Sequence, residues 1–117
     1  MYDDTSKLIV WQKSHELVLK IYEITKRFPK DEMFGLTSQI RRASVSVPSN
    51  IVEGKARGSS KDYRRFLLMA RGSLEETKYQ ILLARDLNYI DDYTFKEVLE
   101  LAKDVGRLLN GLIQKVR

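Results

Sequence analysis

The chain has 117 residues, a net charge of +5 and no cysteine. That length suits one compact unit, because two separate cores would each approach the lower limit for independent folding. An apolar fraction of 43% with only six glycines and two prolines excludes a disordered chain and is poor in turn formers for an all-β fold, while the missing thiols exclude a disulfide framework, a thiol nucleophile and a thiolate zinc site.

Hydrophobic periodicity predicts four helices. The first is expected over about residues 10–28, with Val10, Leu17, Ile21, Ile24 and Phe28 in one narrow arc and Pro29 as its stop. The second is expected over about residues 36–57, its core arc made of Ile40, Ala43, Val47, Ile51 and Gly54. Within it, Ala43-Ser44-Val45-Ser46-Val47-Pro48 alternates like a strand, but a single strand without a partner and limited by Pro48 is rejected. A helix running through Pro48 loses the hydrogen bond to the Ser44 carbonyl, so a proline kink near Ser44 is expected at a cost of about 3 kcal/mol in an ideal helix. Gly58 fits a C-terminal stop, and Ser59 with Asp62 resembles a capping box. The third helix, over about residues 61–88, presents Tyr63, Phe66, Leu67, Ala70, Leu74, Thr77 and Ile81 to the core. Asp91 is a candidate cap for the fourth, over about residues 92–116, where Val98, Leu101, Val105, Leu108 and Leu112 step by three and four. Short connections make neighbours antiparallel. The expected fold is therefore all-α, a single up-down-up-down four-helix bundle spanning the chain.

The charge is unevenly placed. Residues 36–71 hold eight cations and two anions, and the rest of the chain is nearly balanced. Such a segment attracts phosphate or an acidic protein surface, although it could equally be a solvated face. The binding candidates are Arg41, Arg42, Lys55, Arg57, Lys61, Arg64 and Arg65, with residues 57–65 forming one patch at the turn between helices two and three. Their expected role is phosphate contact, which positions a nucleic acid without reading its bases.

Helix three carries a second apolar stripe, Leu68, Gly72, Tyr79 and Leu83, opposite its core arc, and helix two repeats this weakly with Val45 and Val52. Leaving both exposed would give a small monomer an unusually large apolar patch, so a homo-oligomer packed through helices two and three is expected. The competing reading is that helix three is central and spends both faces internally. Asn50, Glu53 and Gly54 are poor residues for a helix interior. Glu53 is expected to pair with Arg41 or Arg42 of a neighbouring copy, and Asn50 either satisfies backbone freed by Pro48 or contacts a ligand.

No catalytic or metal constellation is found. His15 falls on the polar back of helix one with Gln12 three residues before it, so the Glu-x-x-His pairs of a bundle metal site are missing. There is no phosphate loop, dinucleotide fingerprint or nucleophile elbow, and the pairs Glu75-Glu76 and Asp91-Asp92 read as solvated face and cap. The longest apolar run, residues 66–70, is far short of a membrane span, and residues 1–4 carry no basic signal region, so a cytoplasmic protein with no membrane partner is expected.

The stretch Gly35-Leu36-Thr37-Ser38-Gln39-Ile40-Arg41-Arg42-Ala43, continued by Pro48-Ser49-Asn50-Ile51-Val52-Glu53-Gly54 and later by Arg65-Phe66-Leu67, Ala70-Arg71-Gly72-Ser73, Glu76 and Gln80, resembles the proteins encoded by intervening sequences inside bacterial 23S rRNA genes. The resemblance runs over about residues 8–116, with Val47 and Val52 where that pattern more often has Ile and Ala. That family is similar to the accessory variability protein of diversity-generating retroelements, a basic homopentameric barrel that associates with a reverse transcriptase and binds nucleic acid. The resemblance implies a bundle, a pentamer and no established enzymatic activity, and no cofactor is expected. Three functions follow as expectations: an oligomeric RNA-binding protein of low sequence specificity, an adaptor docking an enzyme such as a reverse transcriptase, or a purely structural bundle.

Overall fold

A computed structural model of the chain describes residues 8–116, so residues 1–4, read above for a signal region, lie outside the described part. Four helices follow one another: α1 Ile9–Thr25, α2 Leu36–Ala56, α3 Ser60–Asp86 and α4 Asp92–Lys115, with a short 3-10 turn Lys30–Glu32 before α2. Each helix packs against its neighbours in sequence and α1 closes on α4, while the backbones of the two diagonal pairs stand farther apart. This is the ring of an up-down bundle, 43 Å long and 24 by 23 Å across.

The helix ends show which local signals govern them. Predicted to reach Phe28, α1 instead stops at Thr25. Pro29 disfavours helical backbone at the residue before it, and the N–H groups of Lys26, Arg27 and Phe28 take tighter i−3 bonds to Glu23, Ile24 and Thr25. Phe28 is still buried, tilted against the ring of Tyr89 at 5.3 Å. Gly58 at φ +82° ends α2, and Ser59 Oγ accepts from the Asp62 N–H at 3.1 Å to open α3. Two residues earlier than predicted, α3 ends at Asp86 because Asn88 adopts φ +62°. The Asn88 N–H then reaches the Arg85 carbonyl and the Tyr89 N–H the Ala84 carbonyl, a Schellman arrangement with asparagine in the usual glycine place. Asp91 Oδ1 accepts from the Thr94 N–H at 2.7 Å and caps α4 as expected.

The predicted core arcs of α1 and α2 are buried throughout. Along α3 the arc is buried except for Tyr63, which stays half-exposed. In α4 the arc is rotated. Val98 and Val105 face inward, but Leu101, Leu108 and Leu112 are half-buried, and the inner line is completed by Phe95, Ala102, Leu109 and Ile113. A helix with two neighbours needs an apolar arc wider than a coiled-coil seam, and the heptad leucines sit at its edge.

The helix α2 runs through the buried Pro48, which has no N–H to offer the Ser44 carbonyl four residues before it. A polar seam follows it. Asn50 Nδ2 donates to the Ser46 carbonyl at 2.8 Å and to Ser46 Oγ at 2.9 Å, and the Ser73 hydroxyl of α3 donates to the same Oγ at 2.9 Å. Asn50 thus meets the Ser46 carbonyl, not the one Pro48 frees, and the seam fixes the register of α2 on α3.

At the far end of the bundle the Glu32 carboxylate accepts from the Leu36 N–H at 3.0 Å and from the Tyr89 hydroxyl at 2.8 Å, tying the α1–α2 turn to the α3–α4 turn. Those bonds, that of Leu36 first, hold the Glu32 carboxyl below its ordinary value. A carboxyl with a depressed folded value gives stability at neutral pH that is lost as pH falls through it. Acidification below about pH 4 therefore loosens this end, and Glu32→Gln lowers stability at neutral pH while narrowing its difference from the acidic value; unfolding midpoints at both pH values check this.

Candidate nucleic-acid interface

The fold divides the basic segment that sequence places together. From Arg41 to Arg57 the helical rise is about 24 Å, so the cations at the two ends of α2 belong to opposite ends of the bundle. One cluster surrounds the α2–α3 turn and contains Lys55, Arg57, Lys61, Arg64 and Arg65. The guanidinium groups of Arg57 and Arg65 both lie over the buried ring of Phe66, 4.9 and 4.8 Å from its centroid. Each also meets a carboxylate on its own helix: Arg57 Nη2 lies 3.3 Å from Glu53 Oε1 and Arg65 Nη2 3.6 Å from Asp62 Oδ1. Within the described residues Lys55, Lys61 and Arg64 have no carboxylate partner. Two pinned guanidinium groups on one ring, with three free cations nearby, form a surface where phosphate would relieve mutual repulsion. Within its own chain Glu53 pairs with Arg57, at i, i+4 spacing on the exposed face.

Arg41 and Arg42 belong to a second site, at the α1–α2 turn. The groove there is lined by Tyr22 of α1, Lys26, Lys30, Met33 and Phe34 of the turn, and Arg41 and Arg42 of α2. Arg41 is held in place: its Nε donates to Thr25 Oγ1 at 2.9 Å and its guanidinium lies 4.6 Å from the Tyr22 centroid. Phe34 is 94% exposed and Met33 57%. None of the groove's four cations has a carboxylate partner among the described residues, and no carboxylate lines it. Sequence reading missed Lys26, Lys30 and Phe34 because they precede the basic segment; the signal available was a turn carrying an apolar pair beside lysines, brought next to Arg41 and Arg42 by the antiparallel hairpin.

The outer face of α2 and α3 holds the residues expected to pack copies together. The Ser46–Ser73 bond sets their neighbours Val45 and Gly72 at the same height of the helix pair. Tyr79 is 60% exposed, Val45 is exposed, and a Cβ built at Gly72 would meet no atom within 4 Å. Val52 is half-buried, and Leu68 and Leu83 are partly buried against their own core. The stripe is therefore shared between inside and outside, with Gly72 and Tyr79 its outward members. Met69 is exposed as well, an apolar side chain that the predicted stripe leaves out.

His15 is exposed and stacks on Trp11, ring centroids 5.2 Å apart and planes within 8°. Among the described residues no group of three or more His, Cys, Asp or Glu converges to hold a metal ion, and no helix is long and apolar enough to cross a membrane.

The chain resembles a solved structure, a protein of unknown function from the S23 ribosomal protein family of Bacteroides thetaiotaomicron VPI-5482. The TM-score is 0.83 at 24% identity, covering 91% of this chain and 96% of that one, a likeness of fold. No curated protein matches the sequence. The family model described as 23S rRNA-intervening sequence protein matches residues 6–111. With that match spanning nearly the whole bundle, the chain belongs to the 23S rRNA-intervening sequence protein family.

Proposed function

We propose that this chain is a non-enzymatic, cytoplasmic RNA-binding protein that works as a homo-oligomer, five copies in the arrangement the family resemblance implies. The observation that carries the reading is the cluster at the α2–α3 turn, where Arg57 and Arg65 share the ring of Phe66 and Lys55, Lys61 and Arg64 have no carboxylate partner among the described residues. Guanidinium groups already held against a ring lose less freedom on meeting phosphate than free side chains do. Rotational symmetry would repeat the cluster, so one RNA could engage several copies at once. Contacts of this kind fix position and leave sequence unread.

Counterion release makes such binding steeply salt-dependent. Replacing Arg64 and Arg65 together by alanine is expected to reduce the slope of log K against log salt by about 1.8 on duplex RNA, about 0.9 for each phosphate that the variant no longer neutralises. Both side chains are exposed, so the fold tolerates the change. A slope unaltered by the double substitution removes the cluster from the interface, and salt-independent capture of a protein partner favours the adaptor reading.

A further inference from the structure

We propose that the groove at the α1–α2 turn seats an unpaired stretch of polynucleotide, its bases stacking on Phe34 and Tyr22 and its phosphates meeting Lys26, Lys30 and Arg42. The inference rests on the nucleic-acid reading above and extends it to a second, chemically different site. Phe34 contributes almost nothing to the core, since it is 94% exposed, so the fold gives no reason for an aromatic ring there. Beside it no cation has a carboxylate partner among the described residues, whereas the cleft on the other side, which Lys26 also borders, mixes Lys20 and Arg27 with Glu23 and Asp91. Of the turn's two carboxylates, Glu32 is bound to the Leu36 N–H and the Tyr89 hydroxyl, and neither it nor the exposed Asp31 lines the groove. Arg41, fixed by Thr25 and laid over Tyr22, holds a cation against the ring without needing an anion.

Exposed aromatic faces interleaved with free cations are what a single strand requires, because every base offers a π-face and every nucleotide a phosphate. A duplex cannot use the rings, since its bases are already stacked. The groove therefore prefers single strands, while the α2–α3 turn, with its ring buried beneath arginines, serves either form.

The test compares a labelled oligouridylate of about ten nucleotides with an RNA duplex of equal length by fluorescence anisotropy, using the full chain. Phe34→Ala is expected to weaken the single strand about tenfold and the duplex less than about twofold, with Phe34→Trp retaining affinity. Lys26→Ala with Lys30→Ala is expected to reduce the single-strand salt slope by about 1.4. The proposal is overturned if Phe34→Ala leaves single-strand affinity unchanged, or if an oligoglutamate peptide of equal charge binds in its place with the same dependence on Phe34. Duplex binding that persists in either case leaves the α2–α3 cluster standing, whereas a wild-type chain that binds neither RNA sinks both sites.

Discussion

Gly54→Ala is expected to destabilise the protein by about 1–3 kcal/mol even though alanine is the better helix former. A Cβ at this position would lie 2.5 Å from Phe66 Cβ and 3.3 Å from Tyr63 Cδ1. The first obstacle is rooted in the α3 backbone and cannot swing aside, so α2 and α3 must separate. Because Phe66 also carries Arg57 and Arg65, separation disturbs the basic cluster along with the core. At about 4 °C per kcal/mol for a chain of this size, the thermal midpoint falls by roughly 4–12 °C. Gly111→Ala is the matched control: its Cβ meets nothing within 4 Å on α4, and relief of glycine's helix cost stabilises it by about 0.5–1 kcal/mol. Thermal denaturation of both variants checks the pair, and a Gly54→Ala protein as stable as wild type would contradict the close approach of α2 and α3.

Tyr79→Asp is expected to convert an assembly into 13.7 kDa chains without unfolding them. The proposed interface lies on the outer face of α2 and α3, where Tyr79, Val45 and the open position of Gly72 meet solvent in an isolated chain. A buried aspartate without a partner is incompatible with a packed interface, yet harmless on a surface. Tyr93→Asp, at a side chain 76% exposed on α4, is expected to leave the mass unchanged. Gly72→Leu adds a discriminating outcome: the isolated chain has room for the side chain, so loss of assembly with a retained thermal midpoint locates a neighbouring backbone at that spot. Sedimentation velocity reads all three, and a wild type that already sediments as a single chain ends the oligomer proposal.

Much of the bundle was legible because Leu17, Ile21, Ile40, Val47, Ile51, Leu67, Leu74 and Ile81 repeat at helical spacing and are all buried. Caps at Ser59 and Asp91 were readable because their chemistry is local. The end of α3 was not, since Asn88 took a left-handed conformation more usual for glycine. The inner face of α4 was misread because leucines at its edge outweigh Ala102, which is small and fully buried. The basic segment is legible as charge but not as a place: proximity in sequence vanishes over sixteen helical residues, and Lys26 and Lys30 regain proximity to Arg41 only through the hairpin. Pairing of Glu53 with Arg57 follows from ordinary i, i+4 spacing, which competes with any partner on another chain.

The measurement that bears most directly on the central claim is the affinity of the wild-type protein for a structured RNA across a salt series from about 50 to 200 mM. Engagement of the unpartnered cations predicts a linear fall of log K with log salt, with a slope of about −3 or steeper. Affinity that stays flat across the series, or no binding at its low-salt end, would contradict a phosphate-binding role for this bundle.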